Sequence, residues 1–251
     1  MQITPPFGYR DLVPVLKTHR VRYPAAGELP PFAGKSNAVP ISPTEFQPAA
    51  RELPIVFTSN DSGKSYAAVA VLGVANGENL FMSEAGWAPG VYVPAYLRRY
   101  PFCMARVPAR EGAQEQRLIC IEKAHLDEAG EAVFDGDKPT ERWGNVERLL
   151  TEYEADLGRA REMCMTLADY GLLEPFNLEA KVAPEKGGGT MKLTGMYRVS
   201  EKSLENLNAA QLKNLVRTGI LARIYLHLIS LANFQRLVER KVAAGAAPAA
   251  A

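Results

Sequence analysis

The chain has 251 residues, 47% of them hydrophobic, with a formal net charge of +1. That is enough apolar chain for one large domain or two small ones with a substantial core. The near-neutral balance, with Lys and Arg scattered among acids, excludes the basic excess of a dedicated nucleic-acid binder.

Residues 1–48 contain Pro5, Pro6, Pro14, Pro24, Pro30, Pro31, Pro40, Pro43 and Pro48 and little periodicity, which predicts an extended, mostly irregular arm. Residues 1–14 lack the basic start, apolar segment and small-residue cleavage site of a secretory signal. Within the arm, Ser42-Pro43-Thr44-Glu45 begins a helical turn, with Ser42 as cap, Pro43 in the first position and Glu45 three residues on. Beyond the arm, residues 54–58 and 67–72 are short β-favouring runs flanking Ser59-Asn60-Asp61-Ser62-Gly63-Lys64, and so form a hairpin. Residues 79–82 predict another short strand. A second hairpin joins residues 102–107 to 117–122, and Phe134 precedes a turn at Asp135-Gly136-Asp137.

Helical signals take over after Thr140. Val146, Leu149, Leu150, Tyr153, Leu157, Met163, Leu167 and Tyr170 keep a helical period, and Gly171 stops it. Val182 and residues 192–199 flank Gly187-Gly188-Gly189 as a third hairpin. Asn208 with Gln211 makes a capping-box signal ahead of Leu212, Leu215 and Val216, and Gly219 closes that helix. Residues 220–238 predict one last helix, apolar nearly all round in its first half and therefore central, with Ile220, Ile224, Leu228 and Leu231 buried. The longest apolar stretch, residues 220–232, contains Arg223 and His227 and falls short of the roughly 20 residues a membrane span needs. The Ala/Gly/Pro tail of residues 241–251 is low-complexity. The predicted organisation is a proline-rich arm (1–48), a single α+β domain (49–240) and a flexible tail (241–251). Antiparallel hairpins dominate its first half and helices concentrate toward the C-terminus. The expected setting is soluble and cytoplasmic.

Most chemical motifs dissolve on inspection. Cys103, Cys120 and Cys164 lack CxxC or Cys/His spacing and behave as small buried apolar residues in a reducing compartment. His19, His125 and His227 are far apart and share no metal-ligand spacing, so no metal and no cofactor is expected. His227 lies one turn from Ser230, but no acid accompanies them and no GxSxG elbow surrounds the serine; a core histidine is the expectation. Gly63-Lys64-Ser65 has Thr58 where a phosphate-binding loop needs glycine, leaving a plain hairpin turn. Asp127, Glu128, Glu131, Asp135 and Asp137 break the spacing of a calcium loop and predict a solvated acidic patch.

Residues 86–102, GWAPGVYVPAYLRRYPF, are different. Pro94 suits the start of a helix and Pro101 ends it, so residues 95–100 make one or two turns between them. Tyr96 and Tyr100 share a face, while the adjacent Arg98 and Arg99 diverge. Tyr, Trp and Arg are the residue types that anchor ligands and partners. In the binding reading, Trp87 and Tyr92 form an apolar wall and one arginine takes a carboxylate or phosphate in a two-pronged contact, with Glu78 and Asn79 adding polar contacts. In the alternative, the rings are core and an arginine is buried in a structural pair. The candidate ligand- or partner-binding residues are therefore Glu78, Asn79, Trp87, Tyr92, Tyr96, Arg98, Arg99 and Tyr100.

The same run carries a resemblance. Val39-Pro40-Ile41 through Glu45-Phe46, with Glu52-Leu53-Pro54-Ile55-Val56-Phe57, form its first segment. Gly77-Glu78-Asn79-Leu80-Phe81 leading through Trp87 to Tyr92-Val93-Pro94-Ala95 and Arg98-Arg99-Tyr100-Pro101-Phe102 form the second. Leu193-Thr194-Gly195-Met196-Tyr197-Arg198-Val199, with residues 224–231 near the end, form the third. In this order and spacing the chain resembles the SapC family of bacterial proteins over about residues 39–237. The resemblance implies a link to surface-layer export or nutrient-uptake gene clusters and brings no catalytic residue set. The expected function is an accessory protein that binds a peptide, small molecule or protein partner. The competing class is an enzyme modifying a peptide or small molecule at the Trp/Tyr/Arg run.

Overall fold

The structure is a computed structural model that describes residues 5–61, 63–107, 116–181 and 190–246. The glycine tip at residues 187–189, Val182, and the loop of residues 108–115 lie outside the described residues. In chain order the early elements are β1 (Leu12–Pro14), β2 (Arg20–Val21), β3 (Ala38–Pro40), α1 (Phe46–Ala49), β4 (Ile55–Thr58), β5 (Ala67–Val71), β6 (Met82–Ser83), β7 (Gly86–Trp87) and α2 (Ala95–Arg98). The middle of the chain forms β8 (Phe102–Val107), β9 (Gln116–Glu122), β10 (Glu131–Ala132), β11 (Phe134–Asp135), β12 (Lys138–Pro139) and α3 (Glu141–Asp169). The rest forms β13 (Leu173–Lys181), β14 (Thr190–Val199), α4 (Glu201–Glu205), α5 (Ala209–Arg217), α6 (Ile220–Ser230) and α7 (Asn233–Ala246). The fold is α+β, with antiparallel pairing mainly in the first half and helices toward the C-terminus.

Contacts divide the chain into two units, Met1–Phe32 with Leu97–Ala155, and Ala33–Tyr96 with Asp156–Ala251. In the first, β1, β9 and β8 form an antiparallel sheet in that order. Alternation sorts its side chains by face. Phe102 and Ile121 pack with Val21, Val133, Trp143 and Leu150, while Cys103, Ala105 and Cys120 pack with Tyr9. The proline-rich early chain thus contributes core residues, Tyr9 and Val21 among them.

In the second unit the order is β13-β14-β4-β5-β3, all antiparallel. Ile55, Val56 and Phe57 of β4 and Ala68 to Val71 of β5 are all buried. These runs are apolar without alternation because both of their faces are covered. Gly171, at φ 62°, ends α3, and the chain enters β13 two residues later, well ahead of the hairpin start read from sequence. The predicted Asn208–Gln211 capping box is formed in full.

Two expectations are corrected. Residues 79–81 are not strand; only Met82–Ser83 pairs, with Gly86–Trp87. The Asn79 side chain takes the Phe81 N–H (2.9 Å) and donates to the Ala33 carbonyl (2.8 Å), supplying local partners that compete with a ladder. The last helix is also two helices, broken at Leu231–Ala232. Ser230 donates to the His227 carbonyl (2.6 Å) and Asn233 to that of Ala50 (2.8 Å), so both side chains engage main-chain carbonyls at the break. The inward stripe of α6 is Ile220, Ile224, His227 and Ser230; Leu228 and Leu231 are only half-buried. Spacing by three and four puts Leu228 about 100° from its buried neighbour His227.

Candidate functional site

The aromatic–arginine run is divided between the units, the boundary falling between Tyr96 and Leu97. In the second unit Trp87 is half-buried, stacks on Phe81 with centroids 6.0 Å apart and donates its indole N–H to the Val91 carbonyl at 3.2 Å. The Arg240 guanidinium lies over the Phe81 ring at 4.6 Å. Glu78 accepts from the Val74 N–H (3.2 Å) and pairs with Lys241 of α7, closing a turn. Asn79 is buried and spends both ends of its amide on main chain, and Tyr96 is core.

Tyr92 leads to a residue the sequence did not single out as functional. Glu45 is 4% exposed. One carboxylate oxygen accepts from the Tyr92 hydroxyl (3.0 Å) and the Ala95 N–H (2.7 Å), which opens α2. The other accepts from the Ser42 N–H and hydroxyl, both at 3.0 Å. One buried carboxylate thus ties the helical turn at Ser42 to the proline-bracketed helix. The Ser42-to-Glu45 spacing announced the local half of this arrangement; nothing in sequence announced Tyr92 and Ala95, 47 and 50 residues away.

In the first unit Arg98 is exposed and Arg99 is 4% exposed. The Arg99 guanidinium sits 4.6 Å from the Tyr153 ring centroid and 5.5 Å from that of Tyr9, a desolvated cation between aromatic faces. The Tyr100 ring packs on Tyr9, Phe32 and His125 with centroids 5.3 to 5.8 Å apart, and burial pushes its phenol up. Adjacent arginines are thus sorted, one inward and one outward.

His227, fully buried, accepts from the Val199 N–H at Nε2 (3.1 Å) and meets the Ile55 carbonyl through Nδ1 at 2.7 Å. Burial pushes it down to about 4, partly offset by the bond to Ile55, so it is a neutral pin between β4 and β14. Ser230 accepts from the Ile55 N–H (2.9 Å) and serves the same junction. Burial pushes the thiols up, Cys103 to about 12 and Cys120 and Cys164 to about 11, away from the nucleophilic thiolate. Exposed Asp61 closes the β4–β5 turn by accepting from Ser59, Lys64 and Ser65, and these bonds, those from Ser65 foremost, hold its carboxyl down to about 2. Among the described residues no three His, Cys, Asp or Glu side chains converge as metal ligands.

The second unit also holds a cleft of about 430 Å³, within the size range of small-molecule and peptide sites. Pro43, Thr44 and Gln47 form one wall; Ala222, Arg223, Tyr225, Leu226 and Ile229 of α6 form the other. Tyr225 is 48% and Ile229 66% exposed. The Thr44 hydroxyl donates to Asp156, which also pairs with Arg159. The sequence marked Arg223 only as a charge interrupting an apolar stretch.

The family model described as SapC matches residues 18–237, most of the chain. No curated protein and no solved structure matches.

Proposed function

The chain belongs to the SapC family, and on that premise we propose that it is an accessory binding protein whose recognition surface is the cleft between the Ser42-to-Gln47 turn and α6. The observation that carries this reading is the cleft itself. It is ligand-sized and flanked by large apolar side chains left in solvent, Tyr225 and Ile229. Exposed aromatic and aliphatic groups beside a concave surface are the usual anchors of recognition.

The aromatic–arginine run takes the supporting part in this reading. Glu45 couples it to the turn that forms one wall of the cleft, through Tyr92 and the first N–H of α2. Of its members, Arg98 is exposed and Trp87 half-buried. An enzyme centred on the run is less well supported, since Glu78, Asn79 and Tyr92 have side-chain atoms committed to internal hydrogen bonds. A role in surface-layer export or nutrient uptake belongs to the same proposal.

The test is site-specific photo-crosslinking in cells, with benzoylphenylalanine at position 225, at position 98 and, as control, at exposed Lys202 of α4. Position 225 is expected to give a discrete adduct. No more product there than at 202 refutes the cleft, and an adduct confined to position 98 returns the recognition surface to the aromatic–arginine run.

A further inference from the structure

We infer that the α6 cleft receives the C-terminal carboxylate of an apolar peptide segment, with Arg223 as the anion anchor; the inference rests on the reading of the cleft as recognition surface. Arg223 is half-buried and lines the cleft. Its Nε donates to the Pro43 carbonyl at 3.4 Å and one terminal nitrogen to the Gly219 carbonyl at 3.0 Å. Both acceptors are neutral, so they orient the guanidinium without cancelling its charge. The second terminal nitrogen has no hydrogen bond, and the side chain no ion pair, among the described residues.

The pose is built into the local backbone. Gly219 has φ 73°, and a Cβ there would lie 2.7 Å from the Arg223 terminal nitrogen. Glycine suits that left-handed conformation and leaves the guanidinium room to reach the Gly219 carbonyl. Among the described residues no Asp or Glu is part of the lining, although Asp156 stands behind Thr44, and Arg223 is the charged group that faces the cleft. Charge complementarity therefore calls for an anion.

A single planar fork suits a carboxylate, which it can bind in two parallel hydrogen bonds. The rest of the lining selects the body of the ligand. Tyr225 and Ile229 offer apolar area within two turns of Arg223, as a terminal carboxylate attached to an apolar residue requires. On the facing wall the Gln47 amide can donate to and accept from peptide main chain, and the Thr44 hydroxyl, whose proton goes to Asp156, can still accept; neither offers anything to an acyl chain.

The experiment is fluorescence polarisation with the full chain and an N-terminally labelled peptide, Gly-Ser-Ala-Leu-Phe, made as free acid and as C-terminal amide. The acid is expected to bind about tenfold more tightly than the amide, the preference shrinking with added salt. Arg223→Met removes the preference, Arg223→Lys keeps part of it, and Tyr225→Ala weakens acid and amide alike. Failure of the acid to bind overturns the inference, as does a preference that survives in Arg223→Met. Dodecanoate binding more tightly than the peptide acid overturns the peptide assignment. Equal binding of acid and amide, both weakened by Tyr225→Ala, overturns the carboxylate anchor while leaving the cleft as recognition surface. Loss of both, with no adduct at position 225, removes the two together.

Discussion

Glu45→Gln probes the contact on which the proposed site depends, because the substitution keeps size and shape and changes one oxygen to an NH₂ group. Each carboxylate oxygen of Glu45 accepts from a main-chain N–H, Ala95 on one side and Ser42 on the other. The Tyr92 and Ser42 hydroxyls can rotate to accept a hydrogen bond, but a backbone N–H cannot. Whichever way the glutamine amide turns, one N–H faces another donor in a buried place. A lost bond to a charged acceptor together with a stranded donor comes to about 2–4 kcal/mol. For a chain of this length that corresponds to a fall of about 4–16 °C in Tm. Glu45→Ala, which removes every acceptor, is expected to cost more. Urea denaturation followed by tryptophan fluorescence measures the effect, since Trp87 lies in the same unit as Glu45. A Gln variant within about 0.5 kcal/mol of the parent refutes the reasoning, because a change that small is ordinary for an unconstrained surface position.

The remaining expectations use the same measurement or a simple companion. Ile224→Ala, at a side chain 1% exposed, costs about 2–5 kcal/mol, whereas Ile229→Ala changes stability by no more than about 0.5 kcal/mol; equal effects would show that α6 buries a different face. Arg99→Ala destabilises by about 2–4 kcal/mol through loss of its stacking between Tyr9 and Tyr153, and Arg98→Ala, at an exposed side chain, costs less; the reverse order contradicts the assigned orientations. His227 titrates near 4 in the folded chain against 6.5 ordinarily, so as pH falls the unfolded chain takes up its proton first. Its contribution is complete above pH 6.5, falls by about 3 kcal/mol between 6.5 and 4, and is level below; in His227→Gln that part of the pH dependence should vanish. The three buried thiols should react with a disulfide reagent only on unfolding, and rapid labelling of the native chain would show that one of them is accessible.

Sequence by itself determined what depends on neighbours a few residues away. The β4–β5 and β8–β9 hairpins follow from short β-favouring runs around polar turns, and the paired strands fall within a residue or so of those runs. Helix ends were legible where one residue does the work, as with Gly171 and Gly219 in the left-handed region and Asn208 with Gln211 in a capping box. The short helix between Pro94 and Pro101 is likewise a consequence of proline chemistry. Tertiary structure decided what depends on distant partners. Arg98 and Arg99 are chemically identical neighbours about 100° apart on a helix; it is tertiary packing, the rings of Tyr9 and Tyr153 included, that turns Arg99 inward. Residues 220–230 read as apolar nearly all round, yet Tyr225 and Ile229 stay in solvent because the buried stripe of α6 is Ile220, Ile224, His227 and Ser230. The bond from Tyr92 to Glu45 and the cleft beside Arg223 join segments 47 and 180 residues apart. Short-range pattern carries no signal for such pairs, because the free energy that brings them together comes from burying the whole core and not from their own local preferences.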